Sequence, residues 1–155
     1  MEGGCTCGAI RYRLQDQPMF VHACHCSWCQ RETGSAFALN AIIERDRLEV
    51  TGPVEMVRLP SASGQGQEIA RCPTCRVAVF SHYAGAGRAA AFVRVGTLDH
   101  PETCPPDVHI FTSTRLPWVA PDPRVPEFEG YYSLRDHWPP ASQERRQAMK
   151  ARFTG

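Results

Sequence analysis

The chain has 155 residues, 43% hydrophobic and 21% charged, with 17 Lys+Arg against 16 Asp+Glu and a formal net charge of +1. That length suits one domain with a modest core of its own, and the balanced charge lacks the basic excess of a nucleic-acid binder. No apolar run approaches the roughly 18 residues needed to span a bilayer, and the opening Met1-Glu2-Gly3-Gly4 has neither the basic start nor the apolar stretch of a signal peptide, so the expected location is the cytoplasm.

In chain order, Ala9 to Leu14 alternates apolar and polar residues, the period of a half-buried strand. Ala36 to Ile43 is a longer apolar run suited to a buried strand. Glu55 to Leu59, Val77 to Tyr83, Ala90 to Val95 and Val108 to Thr112 are further strand candidates. Turn formers separate them: Thr51-Gly52-Pro53, Ser61 to Gly66, Gly85-Ala86-Gly87 and Pro105-Pro106. Such punctuation predicts a mainly β single domain with an irregular sheet and a mobile 61–67 loop. Prolines 117, 121, 123, 126, 139 and 140 predict an extended stretch that wraps the surface. Ser142 to Phe153 reads as one short C-terminal helix capped by Ser142. We therefore divide the chain into a domain over 1–130 and an extension over 131–155. The extension offers a face to a neighbouring subunit, which would make a homo-oligomer.

Seven of the eight cysteines fall in three clusters: Cys5-Thr6-Cys7, Cys24-His25-Cys26-Ser27-Trp28-Cys29 and Cys72-Pro73-Thr74-Cys75. In a reducing compartment such clusters read as metal ligands before they read as disulfides. Thiolates are soft donors that suit zinc. Spacing leaves two partitions open. Cys26/Cys29 with Cys72/Cys75 would form an ordinary zinc ribbon and leave Cys5, Cys7 and Cys24 over. Cys5/Cys7 with Cys72/Cys75 would close a four-thiolate structural site and leave Cys24, Cys26 and Cys29 as a group of three with an open place. The second uses all seven cysteines, and it clips the N-terminus to a distant turn, which suits a domain with a small core.

With these clusters in view, the chain resembles the glutathione-dependent formaldehyde-activating enzyme family, also called the GFA or CENP-V-type domain. The segments that carry the resemblance are Gly4-Cys5-Thr6-Cys7-Gly8-Ala9-Ile10-Arg11-Tyr12, Cys24 to Arg31, Gly34-Ser35-Ala36-Phe37 and Cys72-Pro73-Thr74-Cys75. Val95 to Asp99, His109-Ile110-Phe111 and Trp118 extend it. The resemblance implies a β-tent fold, a structural zinc on Cys5, Cys7, Cys72 and Cys75, and a catalytic zinc on Cys24, Cys26 and Cys29. It implies a carbon–sulfur lyase that joins formaldehyde and glutathione, so two zinc ions per chain and glutathione as a co-substrate. The family usually has glycine after the C-P-x-C turn, where a positive φ suits it. Here the residue is Arg76.

A three-thiolate zinc with an open place would bind a small thiol or thiol-adduct substrate and lower the thiol pKa. His25, His22, Cys104 or water could instead fill that place and leave a structural module that binds a protein partner. A thiol-redox pair is a third reading, but neither C-x2-C has the strand-then-helix context such a motif needs. His25 must point away from the ion its neighbours share, as a surface residue or a support. His109 reads as a core histidine, Trp28 as a pocket wall or a cover over the knuckle, and Cys104 as a bystander. Arg31, Gly34 and Ser35 could bind a carboxylate or carbonyl, with Gly34 and Ser35 more simply forming the turn into the next strand.

Overall fold

A computed structural model of the chain describes residues 1–153. The smaller of its two sheets contains β1 (Glu2–Gly4), β2 (Arg11–Leu14) and β5 (Leu48–Thr51), antiparallel in the order β1-β2-β5. The larger contains β3 (Phe20–Cys24), β4 (Ala38–Glu44), β6 (Glu55–Leu59), β7 (Gln67–Arg71), β8 (Ala78–Tyr83), β9 (Ala90–Arg94) and β10 (Val108–Ile110). Its order is β10-β3-β4-β9-β8-β7-β6. β10 runs parallel to β3, with Ile110 opposite Cys24, and the other neighbours are antiparallel. The helices are α1 (Ser27–Thr33), α2 (Leu134–His137) and α3 (Pro140–Phe153). Among the described residues no helix is long and apolar enough to cross a membrane.

The large sheet is covered on both faces, and the side-chain period of two sorts its residues between them. Val21, Ala41, Ile43, Ala91 and Val93 face the small sheet and pack with Ile10, Tyr12, Leu14 and Leu48. Their neighbours Phe20, Cys24, Ala38, Ile42 and Ala90 face the other way and pack with Tyr132, Trp138 and Met149 of the C-terminal segment.

The chain is mainly β, as the alternation and turn spacing predict. The six predicted strands appear, the first shortened to Arg11–Leu14. β3 was not foreseen because all five of its residues are buried, so no alternation marks it. The proline-rich stretch is not uniformly extended. It contains α2, pairs Glu127 with His109 in a parallel bridge, and buries Tyr132 and Trp138. α3 starts at Pro140 rather than at a Ser142 cap, because proline fits the first helical position, where no N–H is needed. Ser142 is buried, and its N–H donates to the Pro139 carbonyl.

Arg145 of α3 holds the helix to the sheet. Its Nε and Nη2 donate to the two oxygens of Glu44 at 2.9 and 2.6 Å, and its Nη1 donates to the Gln17 carbonyl at 2.9 Å. The Glu44 side chain is 1% exposed. Burial pushes its carboxyl up, the Arg145 hydrogen bonds push it down, and the net value lies below the ordinary glutamate range. A carboxyl depressed in the folded state stabilises above its unfolded pKa, and that contribution is lost as pH falls through the folded value. Arg145→Ala is therefore expected to cost about 2–4 kcal/mol near neutral pH, because Glu44 is left buried with only Arg47 nearby. Urea unfolding of parent and variant should converge as pH drops through the carboxylate range.

Candidate metal centres

Cys5 and Cys7 follow β1 in the small sheet, and Cys72 and Cys75 lie in the turn between β7 and β8 of the large one. The fold brings these four sulfurs within 4.8 Å of one another. Cys7 Sγ lies 3.5 Å from Cys5 Sγ and 3.6 Å from Cys72 Sγ. Bond lengths of about 2.3 Å in a tetrahedron place ligand sulfurs about 3.8 Å apart, so the donor set fits a four-thiolate ion.

The two loops are closed alike. Cys5 N–H donates to the Ile10 carbonyl and Cys72 N–H to the Val77 carbonyl, at 3.1 and 3.0 Å. Backbone donors also reach the sulfurs. Ile10 N–H lies 3.2 Å from Cys5 Sγ. Those of Val77 and Cys7 hold the Cys75 thiol down at about 6. Each loop needs one left-handed residue, Gly8 at φ +77° in the first and Arg76 at φ +63° in the second. The position where glycine is usual thus keeps its glycine-like backbone, and Arg76 carries the strain.

The second group is Cys24, Cys26 and Cys29, whose sulfurs also lie within 4.8 Å of one another. Cys24 ends β3. Cys26 is the N-cap of α1, its sulfur accepting from Cys29 N–H at 3.4 Å, so the first helical turn places Cys29 beside it and, against the expectation from sequence, this C-x2-C does follow a strand and open a helix. Gly34, at φ +62°, ends the helix by donating to the Gln30 carbonyl, which is the turn read from the sequence. The Cys24 and Cys29 thiols hold Cys26 well below the ordinary thiol value, while the hydrogen bond to Cys26 pushes Cys24 up. Crowded thiols of this kind ionise together only if a cation takes up the charge.

No fourth His, Cys, Asp or Glu joins this group among the described residues. His22 Nε2 is 2.7 Å from Tyr132 Oη, which also accepts from Trp138 Nε1 at 2.6 Å. His25 is fully buried rather than a surface residue, its Nε2 lying 2.9 Å from His109 Nδ1. Burial pushes His25 down to about 4 and lowers His109 too, so both are neutral at pH 7. Cys104 is buried in the core between the sheets, outside both thiol groups. Arg31 has no hydrogen-bond or ion-pair partner among the described residues.

A buried network seats α1. Glu32 accepts from Arg71 and, at 3.0 Å, from Arg94, and Arg94 also donates to Asn40 Oδ1. The loop after β10 adds a second tie. Thr114 Oγ1 and Gln30 Nε2 both donate to the His25 carbonyl, at 3.0 and 2.7 Å. The three cysteines border a cavity of about 480 Å³ between the large sheet and the C-terminal segment. Trp28 lines it and is 45% exposed. So do Asn40, Tyr83, Tyr131, Trp138, Arg146 and Met149, which the sequence reading did not single out. Only the aromatic content of Tyr131-Tyr132 and Trp138 within a proline-rich stretch hinted at them.

These features define a mainly β protein with one closed four-thiol group and one three-thiol group open to a cavity. The family model described as "Glutathione-dependent formaldehyde-activating enzyme" matches residues 1–114, and the chain belongs to that family. A Halomonas elongata protein bearing the same family description is 37% identical over 54 residues. That match spans 34% of this chain and 34% of the relative's length. A crystal structure of a Rhodobacter sphaeroides protein is similar in fold, with a TM-score of 0.50 at 20% identity over 83% of this chain and 100% of that one.

The strain at Arg76 is measurable. Arg76→Gly removes it and gives up an exposed ion pair with Glu55, worth less than about 1 kcal/mol. A left-handed conformation costs a non-glycine residue about 1–2 kcal/mol. The variant is expected to gain about 0.5–1 kcal/mol in urea unfolding, with Glu55→Gln reporting the ion pair alone.

Proposed function

We propose that this chain is a zinc-dependent carbon–sulfur lyase or thiol–aldehyde adduct enzyme. In this reading Cys5, Cys7, Cys72 and Cys75 hold a structural zinc. Cys24, Cys26 and Cys29 hold a second zinc with one place left for a substrate sulfur. The supporting observation is that the three-thiol group has no fourth His, Cys, Asp or Glu ligand among the described residues and borders a cavity large enough for a small molecule. When bound, zinc supplies a soft Lewis acid that favours the thiolate form of a thiol at neutral pH.

In the forward direction the thiol loses its proton, its sulfur bonds to the aldehyde carbon, the C=O π bond breaks, and the oxygen takes up a proton. The product is an S-hydroxyalkyl adduct, as formaldehyde and glutathione would give, and the reverse step cleaves the C–S bond. The protein's own residues provide the frame. β3 and α1 fix the three sulfurs, and the Arg71–Glu32–Arg94–Asn40 network holds α1 in register. Trp28, Phe111 and Trp138 give the cavity beside the sulfurs aromatic walls. Three thiolates give their ion a net negative charge, which suits a soft sulfur partner better than activation of water. A reducing compartment such as the cytoplasm keeps all seven thiols available.

Native mass spectrometry is expected to find two zinc ions per chain in the parent and one in Cys26→Ser, which also loses thiol binding. Cys72→Ser should lose the other zinc and unfold at lower urea. One tightly held zinc in the parent, with Cys24, Cys26 and Cys29 open to alkylation, would sink this reading.

A further inference from the structure

The cavity's chemistry narrows the kind of thiol. Most of its wall is apolar, with Phe92, Ile110, Phe111, Leu134, Trp138 and Met149 enclosing the space beside the three sulfurs. Among the described residues no Asp or Glu lines it, and Arg146 is its only Arg or Lys. Arg146 has no hydrogen-bond or ion-pair partner among the described residues. That sets it apart from its neighbour Arg145, which is taken up by Glu44 and the Gln17 carbonyl. Gln67 adds an acceptor. It lines the cavity, is 7% exposed, and its Oε1 is buried with no partner. His22 is already engaged with Tyr132.

A γ-glutamyl tripeptide thiol carries an ammonium group, two carboxylates and two amides. Inside this cavity its ammonium would meet no carboxylate and its second carboxylate no second cation. Each charged group stripped of water without a partner costs several kcal/mol. An alkyl or aryl body meets the opposite situation, since each buried methylene contributes about 0.8 kcal/mol.

Resting on the thiol-binding reading above, we infer that the substrate is a thiol or thiol adduct with an apolar alkyl or aryl body and one anionic group, which Arg146 receives. The C-terminal segment adds one wall of the cavity and its cation. Tyr131, Leu134, Trp138, Arg146 and Met149 all lie beyond residue 114, where the family match ends. Trp138 and Tyr132 anchor that stretch to His22 of β3 through their hydrogen-bond chain. The family segment thus brings the three thiols and part of the apolar wall, and the C-terminal segment adds the cation and the rest of that wall.

The test uses the full chain with cobalt(II) in place of zinc, because a thiol joining the three-thiolate site changes the cobalt absorption spectrum. Mercaptohexanoate, hexanethiol and glutathione are titrated separately. Mercaptohexanoate should bind about tenfold or more tightly than glutathione. Arg146→Met keeps an apolar stem at that position. It should weaken mercaptohexanoate about five- to tenfold and leave hexanethiol unchanged, which also shows that the variant is folded. Equal or tighter binding of glutathione overturns the inference while leaving the thiol reading intact. So does an Arg146→Met effect of the same size on both probes. A spectrum that none of the three thiols moves overturns the thiol reading itself, and this inference with it.

Discussion

Four sulfur atoms from distant parts of the chain share one small volume, and the joining of the two sheets depends on it. Cys5 and Cys7 belong to the small sheet's first loop and Cys72 and Cys75 to a turn of the large one. Cys7 and Cys72 are 65 residues apart. Closing a loop of that length costs about 4 kcal/mol in chain entropy before any constant term. Two thiolates about 3.6 Å apart repel by about 5 kcal/mol at an effective dielectric near 20. Backbone N–H groups directed at the sulfurs offset part of this, and a cation held by the four sulfurs would supply the rest. A small domain whose strands are mostly short gains from such a clip what a larger core would otherwise provide.

The large sheet then has two different faces. One is an ordinary apolar layer against the small sheet. The other carries Cys24, Asn40, Ile42 and Phe92 in the positions between, and these look into the cavity. Period-two alternation therefore separates the packed face from the cavity face within single strands. Both non-glycine residues with positive φ among those described lie at these sites, Arg76 in the second knuckle and Phe111 in the cavity wall.

The clustered cysteines and the alternating strands were legible because both signals are local. Cys5-x-Cys7 and Cys72-x2-Cys75 announce a knuckle within a few residues, and Arg11 to Leu14 shows its period in four. β3 was not legible. It is covered on both sides, and His22 and Cys24 read as site residues rather than strand residues. The aromatic roles of Tyr132 and Trp138 were hidden among prolines, because a residue buried by a segment far along the chain leaves no trace in its own neighbourhood. Of the two places read for His25, the surface one failed for the same reason. Its partner His109 lies 84 residues on, joined only by the parallel pairing of β10 with β3.

That parallel pairing also sets an order of assembly during synthesis. Chains emerge from the N-terminus, and segments can fold as they appear. The four-thiol group is complete once Cys75 has emerged. The frame around Cys24, Cys26 and Cys29 must wait for β10 and Thr114, and its outer wall for Met149. The segments that gather the four-thiol group therefore emerge before those that frame the three-thiol group and its cavity.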